Sequence, residues 1–418
     1  MKHGRFFNKP EFREYINLLR KLHELIRAGT DETERGEALR ERMDVPANSL
    51  DQEEIDFANR LSGDFYGLFA DNLEPPLPMT DAAQKAVHQA LAKRNQRDFS
   101  AALDQLRIAA PHFEPWQMNY VRGSTLLEAE MPAIAADYFL DTSIRQPDNP
   151  NFRFMWLSAL AHASPETALR EAQRIIENYP KEDPKLSYKA ADILFANTRN
   201  LPDNESTDVI RSLVPVFEDA VFRFQLNGTA SDEKSLIAAA VTLLGFCHEH
   251  LGDDATALRY FNQGVQLYPK HDAPYVARGI QLYGTKTDDA VRDFTKASQL
   301  GSPLVWPYFF LAHFHLQRGE IERCMSMATA ALQRASIAAV KADCLEWIAI
   351  CQACLRFPES TVGATFDEAL KWSHENPRIV HNRDLFRQET VADISLYRSP
   401  SIDELGAIGR QHFTPLAA

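Results

Sequence analysis

The sequence predicts an all-α protein, a solenoid of stacked helical hairpins led by a small helical unit. Three observations carry this. Small and large apolar residues recur with a period near 34 over most of the chain. Glycine is scarce, 17 in 418 residues, whereas alanine and leucine, strong helix formers, are abundant. Apolar residues elsewhere fall three and four apart, the spacing that lines one face of a helix.

The leading segment illustrates the last point. Phe12, Tyr15, Ile16, Leu19, Leu22 and Ile26 share one face of a helix over 10–28, opened by Pro10 and ended by Gly29. A second helix is expected from Glu32 to Met43. A third follows a capping box at Ser49 and Gln52 and runs to about Ala70. Three prolines at 75, 76 and 78 then read as a linker over 71–80, which would set residues 1–70 apart as a unit.

Beyond the linker, a small residue is followed after three positions by a large one, then by a small one, then by proline. Ala135, Phe139, Thr142 and Pro147 give one copy, and Ala257, Phe261, Gly264 and Pro269 another. Ala290, Phe294 and Ala297 with Pro303 give a third. Weaker copies start at Ala102, Ala168 and Cys324, so the steps are 33 or 34 residues within each run. Two antiparallel helices of about a dozen residues with two short turns consume about that length. Small residues let the pair approach, and each hairpin leaves an apolar face that only a neighbouring hairpin covers.

The stretch Leu244-Gly245-Phe246-Cys247-His248, then Leu251-Gly252-Asp253 through Ala257 and Phe261 to Leu267-Tyr268-Pro269, resembles a tetratricopeptide repeat. Ala312, Gly319, Cys324, Ala328 and Ala331 resemble it too, and the likeness spans 81–377 in about eight repeats. It implies a right-handed superhelix that binds other proteins. The chain departs from the pattern where Val241, Tyr275 and Tyr308 replace the usual early tryptophan, and at 181–230, lengthened by a loop at 201–205. The last repeat, 337–377, is stretched. Within the C-terminal segment 378–418 periodicity is lost after about 395, where Ser399-Pro400-Ser401 breaks the pattern and a loose tail with one last helix is expected. In the lead-in, Leu18 to Ile26, Leu39 to Asp44 and Leu61 to Tyr66 resemble helices found ahead of some bacterial arrays of this family.

The family resemblance also implies which residues face the groove: slots two, five and nine of each first helix. They are Tyr120, Phe154, Phe246, Tyr283, Trp306, Phe309 and His313, an aromatic stripe of the kind that interfaces concentrate. The bland alternative for each ring is packing between helices. Some relatives clamp a C-terminal carboxylate with lysine and asparagine. Lys185 and Lys189 fall in the irregular repeat without such a set, which disfavours that role.

Chemistry-bearing motifs are sparse. Cys351 and Cys354, with Cys344 before them, supply one pair inside a helix, where zinc wants two pairs on turns; buried seam thiols are the simpler reading. His248 with His250, and His313 with His315, stand two apart and point to different helix faces. Phosphate loops, dinucleotide turns, nucleophile elbows and the His-Glu-x-x-His motif are missing. No catalytic residue, cofactor or metal is therefore expected. With 45% hydrophobic and 25% charged residues the chain reads as folded, and its net charge of −13 disfavours nucleic acid and anionic membranes. A charged N-terminus, no apolar run of about 18 residues and five unpatterned cysteines lead to an expected cytoplasmic location. The expected function is a non-enzymatic scaffold or adaptor holding a peptide or helix of another protein. A self-assembling structural protein joined through the array ends is the alternative, and an enzyme with an unfamiliar site a more remote one. Partner and oligomeric state stay open.

Overall fold

The computed structural model describes residues 5–70, 74–227, 231–374, 376–389 and 392–412. These form 21 α-helices and a few short 3-10 turns, with no strand among the described residues. Two compact units divide the chain, Met1–Leu194 and Phe195–Ala418.

The first unit opens with α1 (Pro10–Arg27), α2 (Glu34–Ala47) and α3 (Gln52–Gly67), followed by α4 (Asp81–Asn95), α5 (Phe99–Ala109), α6 (Pro115–Glu128), α7 (Pro132–Arg145), α8 (Pro150–Ala163) and α9 (Pro165–Glu177). Helix α10 (Pro184–Asn197) contains the division between the units. Each helix from α6 to α10 begins at proline, which has its φ set for a first turn and lacks only an N–H that would go unpaired there. The prolines of the repeat pattern are a different set: Pro147 lies between α7 and α8, and Pro269 between α13 (Asp254–Leu267) and α14 (Ala273–Leu282).

Two expectations for the first helices need correction. Asp51, not Ser49, caps α3: its carboxylate accepts from Glu54 N at 2.9 Å while Glu54 returns the bond to Asp51 N. Residues 1–70 do not stand apart. Phe6, Phe7, Phe12 and Phe57 share one buried cluster with Phe99, Leu103, Tyr138 and Phe139 of the array, and Phe7 meets Phe99 edge-on at 6.0 Å. Polar ties follow the same seam: Arg107 binds Asp64 at 2.7 Å, and the buried Asp141 accepts from Phe69 N, Asn119 and Arg145. The linker reading of 71–80 falls partly outside the described residues; Leu77 N donates to Pro111 O at 2.8 Å, which ties the rest of it down.

In the second unit, α11 (Asp203–Asn227) takes up most of the expected 201–205 loop and runs for 25 residues. Four hairpins follow: α12 (Ser231–His250) with α13 (Asp254–Leu267), α14 (Ala273–Leu282) with α15 (Thr287–Gln299), α16 (Trp306–Gln317) with α17 (Ile321–Leu332), and α18 (Ala338–Cys354) with α19 (Glu359–Trp372). Helices α20 (Pro377–Glu389) and α21 (Ile402–His412) complete it. In the turn after α12, Gly252 takes φ +78°, a left-handed conformation costly for residues with a Cβ, and Asp253 then caps α13 by accepting from Thr256 N at 3.0 Å.

Three hairpins, α6 with α7, α12 with α13 and α14 with α15, close through a glycine in the first helix and a phenylalanine in the second. A Cβ at Gly279 would lie 2.6 Å from the Phe294 ring, one at Gly123 3.0 Å from Phe139, and one at Gly245 would run into Phe261. Phe139, Phe261 and Phe294 are completely buried. The recurring small and large residues of the sequence are the two halves of this contact.

Candidate functional site

The first helices of the second unit, α12, α14, α16, α18 and α20, present a face on which the segment 394–412 lies. Asn382 of α20, completely buried, donates from Nδ2 to Arg398 O at 2.7 Å and accepts Arg398 N on Oδ1 at 2.8 Å. Both main-chain groups of one extended residue are thereby held, as a sheet neighbour would hold them. The other Nδ2 hydrogen goes to Glu346 Oε1 at 2.8 Å. Glu346 and Asp343 on α18 share the Arg378 guanidinium, with Glu346 Oε2 2.9 Å from it. Burial drives the Glu346 carboxyl up to about 8, only partly offset by Arg378.

One step further along the segment, Pro400 O lies 3.1 Å from His313 Nε2. A carbonyl can only accept, so Nε2 carries the proton and Nδ1 accepts from the Tyr283 hydroxyl at 2.8 Å. Burial lowers the His313 pKa to about 4, which keeps the ring neutral. The chain then turns into α21. Ser401 and Glu404 exchange side-chain to main-chain bonds of 3.2 and 2.7 Å, a capping box that starts the helix locally. Leu405 is completely buried, and a Cβ at Gly409 would come 2.8 Å from the Phe310 ring. Ile402 lies over Gly284 after α14, and Arg410 reaches 3.8 Å from Glu249 on α12. The expectation of a loose tail is therefore corrected: this segment is docked, because it buries Tyr397, Pro400 and Leu405 and finds partners for its main chain.

Beside α21 the same face opens into a cleft of about 750 Å³, lined in part by Phe246, Glu249, His250, Asp254, Tyr283 and Arg410. Glu249 is pushed up to about 7, chiefly by burial.

The seven residues expected to line a groove do not share one unit. Tyr120 and Phe154 belong to the first, where Tyr120 is part-exposed with its ring 5.4 Å from Phe152, and Phe154 is half-buried. Phe246, Tyr283, Trp306, Phe309 and His313 belong to the second and are all buried. Phe246 and Tyr283 border the cleft; Phe309 stacks on Trp347 at 4.9 Å between α16 and α18; Trp306 packs at 6.2 Å from Phe309. Sequence reasoning missed Asn382, Phe310 and the docked segment itself. Ser401 and Glu404, three apart after a proline, were the available signal for α21.

Helical hairpins closed by a small residue against a large one, turned by glycine and repeated at about 34 residues, decide the class of fold. The fold is tetratricopeptide-like. No family model matches the chain, and no curated protein matches it. Among solved structures, a tetratricopeptide repeat protein from Parabacteroides merdae is similar at 14% identity, over 64% of this chain and 98% of that one, with a TM-score of 0.42. A Rap protein complexed with competence and sporulation factor is similar at 14% identity, over 91% and 99%, with a TM-score of 0.40. A double mutant of MamA is similar at 17% identity, over 53% and 96%, with a TM-score of 0.29.

In this tetratricopeptide-like array the other polar candidates have local partners. Lys185 reaches Asn151 at 3.0 Å and Lys189 pairs with Asp192 at 3.0 Å. His315 pairs with Glu320 at 2.8 Å, and His250 lies 3.3 Å from the Ser206 and Thr207 hydroxyls. Cys324, Cys344 and Cys351 are fully buried between α17 and α18, where burial raises the Cys344 thiol and the bond to Cys351 raises that of Cys324. Among the described residues no three His, Cys, Asp or Glu side chains are grouped to hold a metal ion. None of the described helices is long and apolar enough to cross a membrane.

Proposed function

We propose that this chain is a non-enzymatic protein-interaction array, and that its second unit binds polypeptide on the face of its first helices. The observation that carries the reading is the Asn382 clamp: a buried side chain of the array takes both main-chain groups of Arg398 in an extended stretch. A side chain that holds main chain rather than a particular side chain suits ligands of varied sequence. The cleft at the α12 and α14 end of the same face, beside α21 and bordered by the edges of Phe246 and Tyr283, leaves room for further contact with a partner. His313 joins Asn382 in holding main chain, through Pro400 O. Trp306 and Phe309 back that surface from beneath, and Tyr120 and Phe154 are candidates for a separate contact on the first unit.

The test is a comparison of the proteins that co-purify with the full chain and with a Phe246→Ala, Tyr283→Ala variant, scored by quantitative mass spectrometry. The reading expects specific partners to drop at least about tenfold, the effect of losing an interface anchor. An unchanged set overturns it.

A further inference from the structure

We propose that residues 394–412 are a tethered ligand, which closes the polypeptide-binding face in cis and must be displaced by a partner segment of the same build: an extended stretch with proline, followed by a capped helix with glycine on its docking side. The proposal rests on the function given above and adds how that face is kept shut and what opens it.

Four features separate this segment from ordinary core. It is held by two side chains reaching its main chain, Asn382 to Arg398 and His313 to Pro400, while the Arg398 side chain is exposed. Its helix starts from its own Ser401–Glu404 box, so its first turn takes no cap from the array. Its docking side is narrow: Leu405, Gly406 and Gly409 are buried, with Ile402 and Ile408 half-buried, and Asp403, Glu404, Ala407 and Arg410 face solvent. Gly409 is what permits the close approach to Phe310, a ring that cannot yield because Phe294, Tyr283 and Phe309 surround it. It also lies across the hairpins, running from α20 past α16 and α14 towards α12.

A tethered segment acts at an effective concentration of about millimolar, so a micromolar intrinsic affinity would leave the face open about one part in a thousand and weaken a free competitor by the same factor. Releasing the segment should therefore strengthen binding in trans.

The experiment uses the full chain and a fluorescent peptide with the sequence of residues 394–412, followed by anisotropy. Leu405→Asp sets a carboxylate in the buried position, and Gly409→Leu sets a side chain against Phe310 while favouring the helix; neither residue belongs to a hairpin. Hydrogen exchange over 394–412 reports release, and circular dichroism reports that the hairpins remain. The expected result is faster exchange in the segment and peptide binding at least about tenfold tighter than by the unmodified chain, as tether competition requires. Adding Asn382→Ala to either variant should abolish the gain. A released segment with no gain in peptide binding overturns the proposal, and so does a segment that stays protected in both variants, since the contacts named here would then not be what holds it. Either failure leaves the partner comparison on Phe246 and Tyr283 standing, so loss of this proposal and loss of the function reading are told apart.

Discussion

The ring of Phe294 lies flat on the ring of Phe310, their centroids 4.8 Å apart and their planes within 3°. The first ring also fills the space above Gly279 in its own hairpin, and the second receives Gly409 of the docked segment. Closure of one hairpin, stacking on the next and docking of the C-terminal helix thus meet at two side chains.

The glycines that receive these rings should form a graded series. Alanine in a helix is favoured over glycine by about 1 kcal/mol, so Gly123→Ala, with 3.0 Å to the Phe139 ring, should be near neutral. Gly279→Ala, at 2.6 Å, and Gly245→Ala, tighter still, should destabilise by about 1–3 kcal/mol, the cost of overpacking. Urea unfolding of the three variants checks the order.

Asn382→Ala should cost about 1–3 kcal/mol, because it strips partners from Glu346 and from both main-chain groups of Arg398. The effect should be local first. Limited proteolysis is expected to cut within 394–401 before any hairpin, and a cut pattern matching the unmodified chain would contradict this.

His313 makes stability depend on pH with a definite sign. Its folded pKa is lowered to about 4 from 6.5, so between those values the unfolded chain holds more protons. The contribution is complete above about pH 6.5 and is lost as pH falls towards 4. The groups around the ring are Tyr283, Pro400 O, the Gln317 amide at 3.2 Å and, through its charge, Arg378. In His313→Gln nothing titrates at that position, and Glu346, which titrates near 8, is common to both proteins. The stability of the unmodified chain relative to the variant should fall by about 2–3 kcal/mol from pH 7.5 to 4.5, at 1.36 kcal/mol per pKa unit. Urea titrations at four pH values read it.

Alkylation should single out one cysteine. Cys247, Cys324, Cys344 and Cys351 are buried, and Cys354 is partly exposed with its thiol pushed up to about 11 by burial. In the native protein iodoacetamide at pH 8 should label Cys354 alone, about a hundredfold more slowly than free cysteine, since the thiolate is the reactive form. Peptide mapping identifies the site.

The hairpins were legible in the sequence because Gly245, Ala257 and Phe261 meet through a local rule of spacing, and the same rule places Gly279 with Phe294. What escaped depends on contacts distant in sequence. Asn382 and Arg398 are joined across a stretch with no periodic pattern, and Phe7 meets Phe99 across four helices. The aromatic slots were found as residues, but whether a ring such as Phe309 faces a groove or Trp347 depends on the neighbouring helix, which spacing within one helix does not encode.

The burial of Phe7, Phe12 and Phe57 against Phe99 and Leu103 has a practical meaning for dissecting the molecule. A repeat stack needs its outermost apolar face covered, and at this end α1 to α3 supply the cover. A fragment started at Asp81 would bare that face to water and should aggregate, whereas one retaining residues from Arg5 onward keeps its lid against solvent.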